Sequence, residues 1–548
     1  MQERDVVLAA LLALTTIGTA SPAQDGAPPE DAALALVRAA ESRRVAVLER
    51  AARSVVCIFV EGETRAGGGS GVLISADGIG LTNFHVVADF LATRRGVGGL
   101  SDGRLYPLRV LGIDPGGDIV AFQLSGRERF DHAPLGDSDA LRVGQWVAAM
   151  GNPFLVAEDY TPTITLGIIS GLHRYQEGQQ NLLEYADCIQ VSTSINPGNS
   201  GGPLFDMDGR LIGINGRASF EERGRVNVGL GYAVTINQVR RFLPGLRAGR
   251  LMQHGTLGAT VRVSGERLIF AAIQDFSPAE KAGVQLGDEL LAVCGRPVRT
   301  ANEFNNRIAI LPAQWPVALS VRRDGAIQEL HARLEALPLR AGLVYPPDAD
   351  VNRAEVRRLL APFAASGDDG ARLPAAWEGR LTLRDADGER SANVRIAPAP
   401  EGGTRVAAEW AGEPPAGWDA GQFESEWSAI VAPLLGARDL DEQCEALTGD
   451  ELDGRIVARV QRRLPDQRLV RWHFDADVGD LRAATLGTPD NPADVTWTVS
   501  DHRDLGDRRW PTHWARRQGA TALELRLDRP LEPAPDARPS ATPEGGAP

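Results

Sequence analysis

The sequence predicts a multidomain, mainly β protein, and three observations carry that expectation. At 548 residues the chain exceeds the roughly 250–300 residues that one hydrophobic core serves, so about three or four domains are expected. From Ser54 to about Thr235 it runs in short Val/Ile-rich segments such as "SVVCIFV", "GSGVLIS", "GQWVAAMG", "TITLGIIS" and "RLIGING". Gly, Asp-Gly and Asn separate them, which is the pattern of an all-β barrel or sandwich. Beyond Ala336 come further hairpin-like stretches: "GRLTLRDADGERSANVRI", with an Asp-Gly turn at 387–388, and "ADVTWTVSDHRDL". That last region holds eight of the ten tryptophans, which argues for a packed core there.

Taken in order, the apolar run Val6–Ala20, followed by small residues and Pro22, has the shape of a secretory signal cleaved near Ala23. Glu3 and Asp5 cancel Arg4 and the amino terminus, so an uncleaved anchor is the alternative. No later run is long enough to span a bilayer. Residues 24–53 include an alanine-rich segment with charges between apolar positions, the pattern of a helix. After the strand-rich region of 54–250, "INQVRRFLPGLRAG" reads as a closing helix. A unit at 254–336 places strands around helices at "SPAEKAGV" and "TANEFNNRIAIL". A β-rich region at 337–530 precedes a Pro- and Ala-rich tail, 531–548, expected to be disordered.

The net charge of -14 and the lack of a basic stripe with interleaved aromatics exclude a nucleic-acid binder. Cys57, Cys188, Cys294 and Cys444 are scattered without metal-ligand spacing. "SVVCIFV" and "ELLAVCG" make Cys57 and Cys294 candidates for small core residues of strands, and free thiols are favoured over disulfides. His473, His502 and His513 lack zinc-like spacing, so neither metal nor cofactor is expected.

The chemistry is carried by "SINPGNSGGPLFD", residues 194–206. Alone it could be a glycine-rich turn. Upstream, "GIGLTNFHVVADF" puts His85 between a strand end and a short helix, and "VLGIDPGGDIVAFQL" puts Asp118 directly before an apolar strand. His, Asp and Ser in that order on an all-β background supply the three parts of a nucleophilic site. The imidazole takes the serine proton, and the carboxylate fixes its tautomer. The glycines free the backbone N–H groups of Gly198, Asn199 and Ser200 to face a developing oxyanion.

On these residues the chain resembles the HtrA/Deg family of trypsin-like serine proteases. "GSGVLISADGIGLTNFHVV", "GIDPGGDIVAF", "LGDSDALRVGQWVAAMGNPF" and "SINPGNSGGPLFD" carry the likeness. It continues through "GYAVTINQVRRFL" into "FSPAEKAGVQLGDELLAVCGRPV", similar to the PDZ domain of those proteases. It covers residues 50 to 336. It implies a chymotrypsin-like double β-barrel, then an α+β PDZ domain, with His85, Asp118 and Ser200 catalytic. Asp102 and Asp114 are decoys, because the family's acid precedes the "IVA"-like strand. Ser194, six residues before the nucleophile, carries no charge to select Lys or Arg. The resemblance therefore implies a pocket for small or medium aliphatic side chains, shaped by Ser194, Ile195, "IGINGR" and "VGLGYAV".

It further implies a PDZ carboxylate-binding loop at Thr256, Leu257, Gly258 and Ala259, where a peptide C-terminus would add as a strand. A degenerate PDZ domain that only packs on the protease is the alternative. Arg174 in "SGLHRYQ" falls where regulated members place an arginine that couples PDZ domain and active site. Two departures stand out. "QVSTSINPG" has Ser192 where the family often has an acid. Nothing between Gln24 and Ile58 is aromatic, although family trimers often use aromatic residues there, so a homotrimer is implied by resemblance only. The loop "VEGETRAGGGS" is short. The final region, at "LVRWHFDADVGDLRAATL" and "WTVSDHRDLGDRRWPTHW", faintly resembles the curved sheets of lipoprotein carriers, whose concave apolar face holds lipid or peptide; a docking or assembly domain is the plainer reading.

The expected function is an exported, periplasmic or envelope serine endopeptidase acting on unfolded or damaged proteins, with peptide C-termini as partners of the PDZ domain. The membrane is a partner only if the N-terminal segment stays uncleaved. A regulatory protease for one envelope substrate, and a chaperone or scaffold with a latent site, are the rivals.

Overall fold

The computed structural model describes residues 30–61, 68–152, 159–176, 185–195, 198–220, 227–339, 343–363, 376–385, 388–398, 404–410, 412–415, 418–431, 433–434, 440–489, 491, 493–505, 508–518 and 521–531. The leader or anchor at 1–23, Asn196 and Pro197 of the Ser200 loop, Asp387 of the Asp-Gly turn and the tail from 532 lie outside the described residues. The chain forms two units, Met1–Arg50 and Ala51–Pro548. Helix α1, Glu30–Ala52, occupies the alanine-rich segment.

Two closed six-stranded barrels open the second unit. The first contains β1 (Val55–Val60), β2 (Gly69–Leu73), β3 (Ile79–Thr82), β4 (Arg95–Gly99), β5 (Leu105–Asp114) and β6 (Ile119–Leu124), in the order β1-β2-β3-β6-β5-β4. Short α2 (Phe84–Val87) follows β3. The second contains β7 (Trp146–Gly151), β8 (Thr163–Gln176), β9 (Tyr185–Val191), β10 (Pro203–Asp206), β11 (Leu211–Phe220) and β12 (Asn227–Thr235), in the order β10-β11-β12-β9-β8-β7. Closure leaves neither barrel an unpaired edge. Their Val/Ile-rich strands fill two separate cores, Val56, Ile58, Val120 and Phe122 in one and Val147, Ile189, Val191 and Leu204 in the other. Helix α3 (Ile236–Arg247) follows β12.

Next come β13 (Gly255–Thr256), β14 (Ala259–Ser264), β15 (Arg267–Ile273), β16 (Glu289–Val293), β17 (Arg296–Pro297), β18 (Pro316–Arg323), β19 (Ala326–Arg333) and β20 (Glu335–Ala336). Helices α4 (Pro278–Lys281) and α5 (Ala301–Ala309) lie among them, and a Thr300/Glu303 capping box starts α5. The sheet runs β14-β15-β16-β18-β19, so β14 is an edge strand. Cys294 departs from expectation. Rather than a buried strand residue it is an exposed turn residue, because β16 ends at Val293, which pairs with Arg296. Cys294 and Gly295 between them have φ of 49° and 71°, the positive pair of a type I′ turn. Cys57 and Cys188 are buried, Cys444 is half-buried, and all four cysteines are free.

The remainder carries α6 (Ala349–Leu360), α7 (Ala420–Ile430) and one eleven-stranded antiparallel sheet between Ala376 and Leu531. Trp377, Trp472, Trp510 and Trp514 are fully buried in one core with Phe423 and Trp427 of α7. Glu426 of α7 is itself buried. It bonds Arg516, the Trp497 indole N–H (2.9 Å) and the Gln422 amide (2.9 Å), which meets the cost of its burial. Helix α7 thus covers the aromatic face on which the carrier-like resemblance would seat a lipid or peptide.

Side-chain bonds tie these sheets into the second unit. Asn306 of α5, buried, donates to the His173 carbonyl (2.9 Å) and accepts from the Asp187 N–H (2.9 Å). His254 Nε2 faces Asp114 Oδ1 (2.9 Å) while its Nδ1 faces the Ala309 carbonyl. Asn352 of α6 bonds the Ala446 carbonyl (3.0 Å) and N–H (3.1 Å) of the large sheet. Replacing Asn306 by Ala would leave the buried Asp187 N–H and the part-buried His173 carbonyl without this partner. We expect Asn306→Ala to lower unfolding stability by about 1–3 kcal/mol in denaturant titration, and an unchanged midpoint would contradict this contact.

Candidate active site

Asp118 sits at the entry to β6 with φ of 56°, a left-handed conformation that costs of order 1–3 kcal/mol for a non-glycine residue. Its surroundings hold it there. The Asp118 carbonyl accepts from the Asn83 amide (2.9 Å) and the Phe84 N–H (3.2 Å), both at the start of α2. The carboxylate, 1% exposed, accepts from the His85 N–H at Oδ1 (3.1 Å) and meets His85 Nδ1 at 2.8 Å through Oδ2. A further donor reaches Oδ2 from the second barrel, the Tyr185 hydroxyl, at 2.5 Å.

With Nδ1 turned to Asp118, His85 keeps Nε2 as its free base. Burial pulls the His85 pKa down, but the hydrogen bond to Asp118 and the carboxylate charge outweigh it and leave it above the ordinary histidine value. The decoys are occupied elsewhere: Asp102 accepts from Tyr106 Oη (2.7 Å), and Asp114 faces His254.

Ser200 stands on the loop before β10, and the first barrel clamps that loop. Ser70 of β2 donates its N–H to the Ser200 carbonyl (2.9 Å) and its hydroxyl to the Gly198 carbonyl (2.6 Å), and its Oγ accepts from the Asn152 N–H (3.0 Å). Gly201, at φ of 81°, packs so closely that a Cβ would lie 2.2 Å from Thr82 Oγ1 and 2.3 Å from the Ser70 carbonyl. A side chain there would push the loop out of place. With the Gly198 carbonyl on Ser70 and the Asn199 carbonyl on the Gly202 N–H (3.0 Å), the N–H groups of Gly198, Asn199 and Ser200 have no acceptor among the described residues. The Ser200 hydroxyl donates to the Gly216 carbonyl (3.2 Å) rather than to His85.

Ser194 is exposed, and its carbonyl accepts from the Asn199 amide (3.2 Å) and Thr165 Oγ1 (3.4 Å). Ile195 is 1% exposed and belongs to the second barrel's core. Arg174 Nε bonds Gln190 Oε1 (3.0 Å) across β8 and β9. In the loop before β14, Leu257 is buried and its carbonyl accepts from the Ala279 N–H (3.0 Å). Gly258, with φ of 66°, gives its N–H to Thr256 Oγ1 (3.1 Å) and its carbonyl to the Gln274 N–H (2.8 Å). Ala259 begins the open edge strand β14. Sequence reasoning missed Tyr185, Ser70 and Asn83, and it reached Gly216 only as part of the pocket segment "IGINGR". The Tyr185 contact spans 67 positions, and no local spacing signals it.

Two barrels meeting at a His–Asp pair, with a serine on a glycine-bound loop, define the class of a trypsin-like serine peptidase. Residues 69–214 match the trypsin-like peptidase domain and residues 255–334 the PDZ domain. Two similar proteins are a probable periplasmic serine endoprotease DegP-like of Chlamydia pneumoniae and the periplasmic serine endoprotease DegP of Escherichia coli (strain K12). The first is 32% identical over 287 residues, covering 50% of this chain and 56% of that protein. The second is 34% identical over 280 residues, covering 49% and 56%. The chain thus spans just over half the length of these relatives. Among solved structures, the HtrA-type protease AlgW with tripeptide is 30% identical, covering 55% of this chain and 99% of that one, with a TM-score of 0.44. The chain pairs a trypsin-like peptidase domain with a PDZ domain, is similar to HtrA/Deg-type proteases over about half its length, and adds a β-rich C-terminal region.

Removing the Tyr185 hydroxyl takes a donor from the Asp118 carboxylate and leaves more negative charge facing the imidazolium. Tyr185→Phe is therefore expected to raise the His85 pKa further. With His85 as the proposed base, catalysis would need it neutral, so activity would be lost as pH falls through that pKa. The acid limb of kcat/KM should move to higher pH in Tyr185→Phe, and an unmoved limb would contradict this role.

Proposed function

We propose that the chain is an exported serine endopeptidase that cleaves unfolded or damaged polypeptide, with Ser200 as nucleophile, His85 as base and Asp118 as orienting carboxylate. The observation that carries this reading is the buried Asp118 carboxylate on His85 Nδ1 at 2.8 Å, which leaves Nε2 free to take a proton. Ser200 Oγ attacks the peptide carbonyl carbon as its proton passes to His85 Nε2. The oxyanion that forms is held by backbone N–H groups of Gly198 and Ser200, with Asn199 alongside, each such donor being worth about 10²–10³ in rate. Collapse expels the amine, protonated by His85. Water, deprotonated by the same nitrogen, then hydrolyses the acyl-enzyme.

The aliphatic preference follows from the uncharged Ser194. Because Ile195 is packed in the barrel core, its part in specificity is to support the pocket wall. Aliphatic side chains are buried in folded proteins, which favours unfolded substrates. The PDZ loop Thr256–Ala259 and the open edge of β14 fit capture of a peptide C-terminus by strand addition, with the Gly258 N–H released from Thr256. A periplasmic setting agrees with the names of the relatives.

One observation favours a latent resting state: the Ser200 hydroxyl points to the Gly216 carbonyl. Rotation about its Cα–Cβ bond is then part of activation. Arg174, bonded to Gln190 on the strands that also grip α5 through Asn306, is the candidate for the regulatory contact between PDZ domain and site. Cleavage of a chemically unfolded protein by the full chain tests the reading, with and without hydrophobic C-terminal peptides. Ser200→Ala should lose about 10⁴-fold or more in kcat/KM, and peptides should accelerate the parent. Cleavage that survives in Ser200→Ala would overturn the assignment.

A further inference from the structure

We infer that a polar cavity where the peptidase, PDZ and C-terminal regions meet binds a small organic anion with a carboxylate or phosphate head and an apolar body. The cavity has a volume of about 760 Å³, within the usual range of ligand pockets. Its walls come from Leu135–Asp139 and α3 of the peptidase, from α5 and the turn after β16 of the PDZ domain, and from residues 451–456 and 475–477 of the large sheet. None of His85, Asp118, Ser200 or the Thr256–Ala259 loop lines it.

The charges on these walls do not close on themselves. Every carboxylate already has a donor. Asp137 accepts from the Asn237 amide (2.7 Å), Asp139 from Arg296, and Glu451 from the Trp315 indole N–H (3.1 Å). Asp475 holds Arg455 (3.3 Å) and Arg482 (3.2 Å), and Asp477 holds Arg240 (3.2 Å). Arg210 turns to Asp208 at 3.3 Å. Two guanidinium groups remain. Arg241 of α3 bonds the Asn237 carbonyl of its own helix (3.2 Å) and has no carboxylate within ion-pair distance among the described residues. Burial lowers its pKa, with the charge of Asp139 partly restoring it. Arg307 of α5 has Nη1 sealed from solvent with no partner, and it too lacks a carboxylate among the described residues.

A sealed guanidinium N–H without an acceptor is costly, and guanidinium groups match planar carboxylate and phosphate oxygens in a two-pronged fit. Val293, Ile310, Leu311 and Trp315 give the same cavity an apolar wall, which sets the body of the ligand. Because Arg241 belongs to the peptidase and Arg307 to the PDZ domain, the anion bridges them. By linkage its binding stabilises the folded unit.

The test uses the full chain as Ser200→Ala, to exclude self-cleavage. Calorimetric titration and the thermal unfolding midpoint are read with 3-phenylpropionate, phenyl phosphate and the neutral 3-phenylpropanamide. Saturable binding of at least one acid, with a raised midpoint, is expected, and the tighter acid identifies the head group. The amide should bind at least about tenfold more weakly. Arg307→Gln or Arg241→Gln should weaken the acid by a similar factor, while Thr256→Ala in the PDZ loop leaves it unchanged. The proposal is overturned if neither acid saturates, if acid and amide bind alike, or if folded Arg307→Gln and Arg241→Gln bind as the parent does. Should both arginine variants fail to fold, the comparison of acid with amide on the parent decides alone.

Discussion

A single buried carboxylate organises the peptidase half of the chain. Asp118 has its carboxyl group sealed from water and its backbone in a left-handed conformation, and both conditions carry a cost. They are tolerable because donors converge on it from both barrels, the His85 backbone and ring from one and the Tyr185 hydroxyl from the other. The same set of bonds fixes the imidazole orientation, so the relative placement of the barrels and the geometry of the base are one constraint. Ser70 adds the converse link, from a strand of the first barrel to the serine loop of the second.

Much of this was legible in the chain itself. Short Val/Ile-rich segments, punctuated by glycine, read as strands because a pleated, buried surface uses that pattern. Asp118 could be preferred to Asp102 and Asp114 because the family that the chain resembles places its acid before such an apolar run. What stayed hidden shares one physical trait: it depends on contacts between distant segments. Tyr185 meets Asp118 only after both barrels close. Cys294 looked apolar and buried, yet the two-residue turn that Gly295 permits puts it outside. Ile195, given as a pocket residue by the family resemblance, packs into the barrel core. The hydroxyl direction of Ser200 is a rotamer, and no sequence spacing encodes it.

The region after Ala336 changes how the peptidase and PDZ domain are held. In place of a loosely tethered accessory, α6 and the large sheet contact the peptidase through Asn352 and the PDZ domain through Glu451. The tryptophan-rich core is closed by α7, whose buried Glu426 is matched by Arg516. That packs the sheet's aromatic face against α7, and at the junction of the three regions Asp477 of the sheet pairs with Arg240 of the peptidase.

The central claim is that His85 and Asp118 activate Ser200 above every other serine in the chain. A fluorophosphonate probe tests it most directly, because it forms a covalent bond only with an activated hydroxyl; mapping the labelled peptides by mass spectrometry locates that bond. Labelling confined to Ser200, and lost in His85→Ala, is the predicted result. Labelling at another serine, or at Ser200 with undiminished rate in His85→Ala, would contradict it.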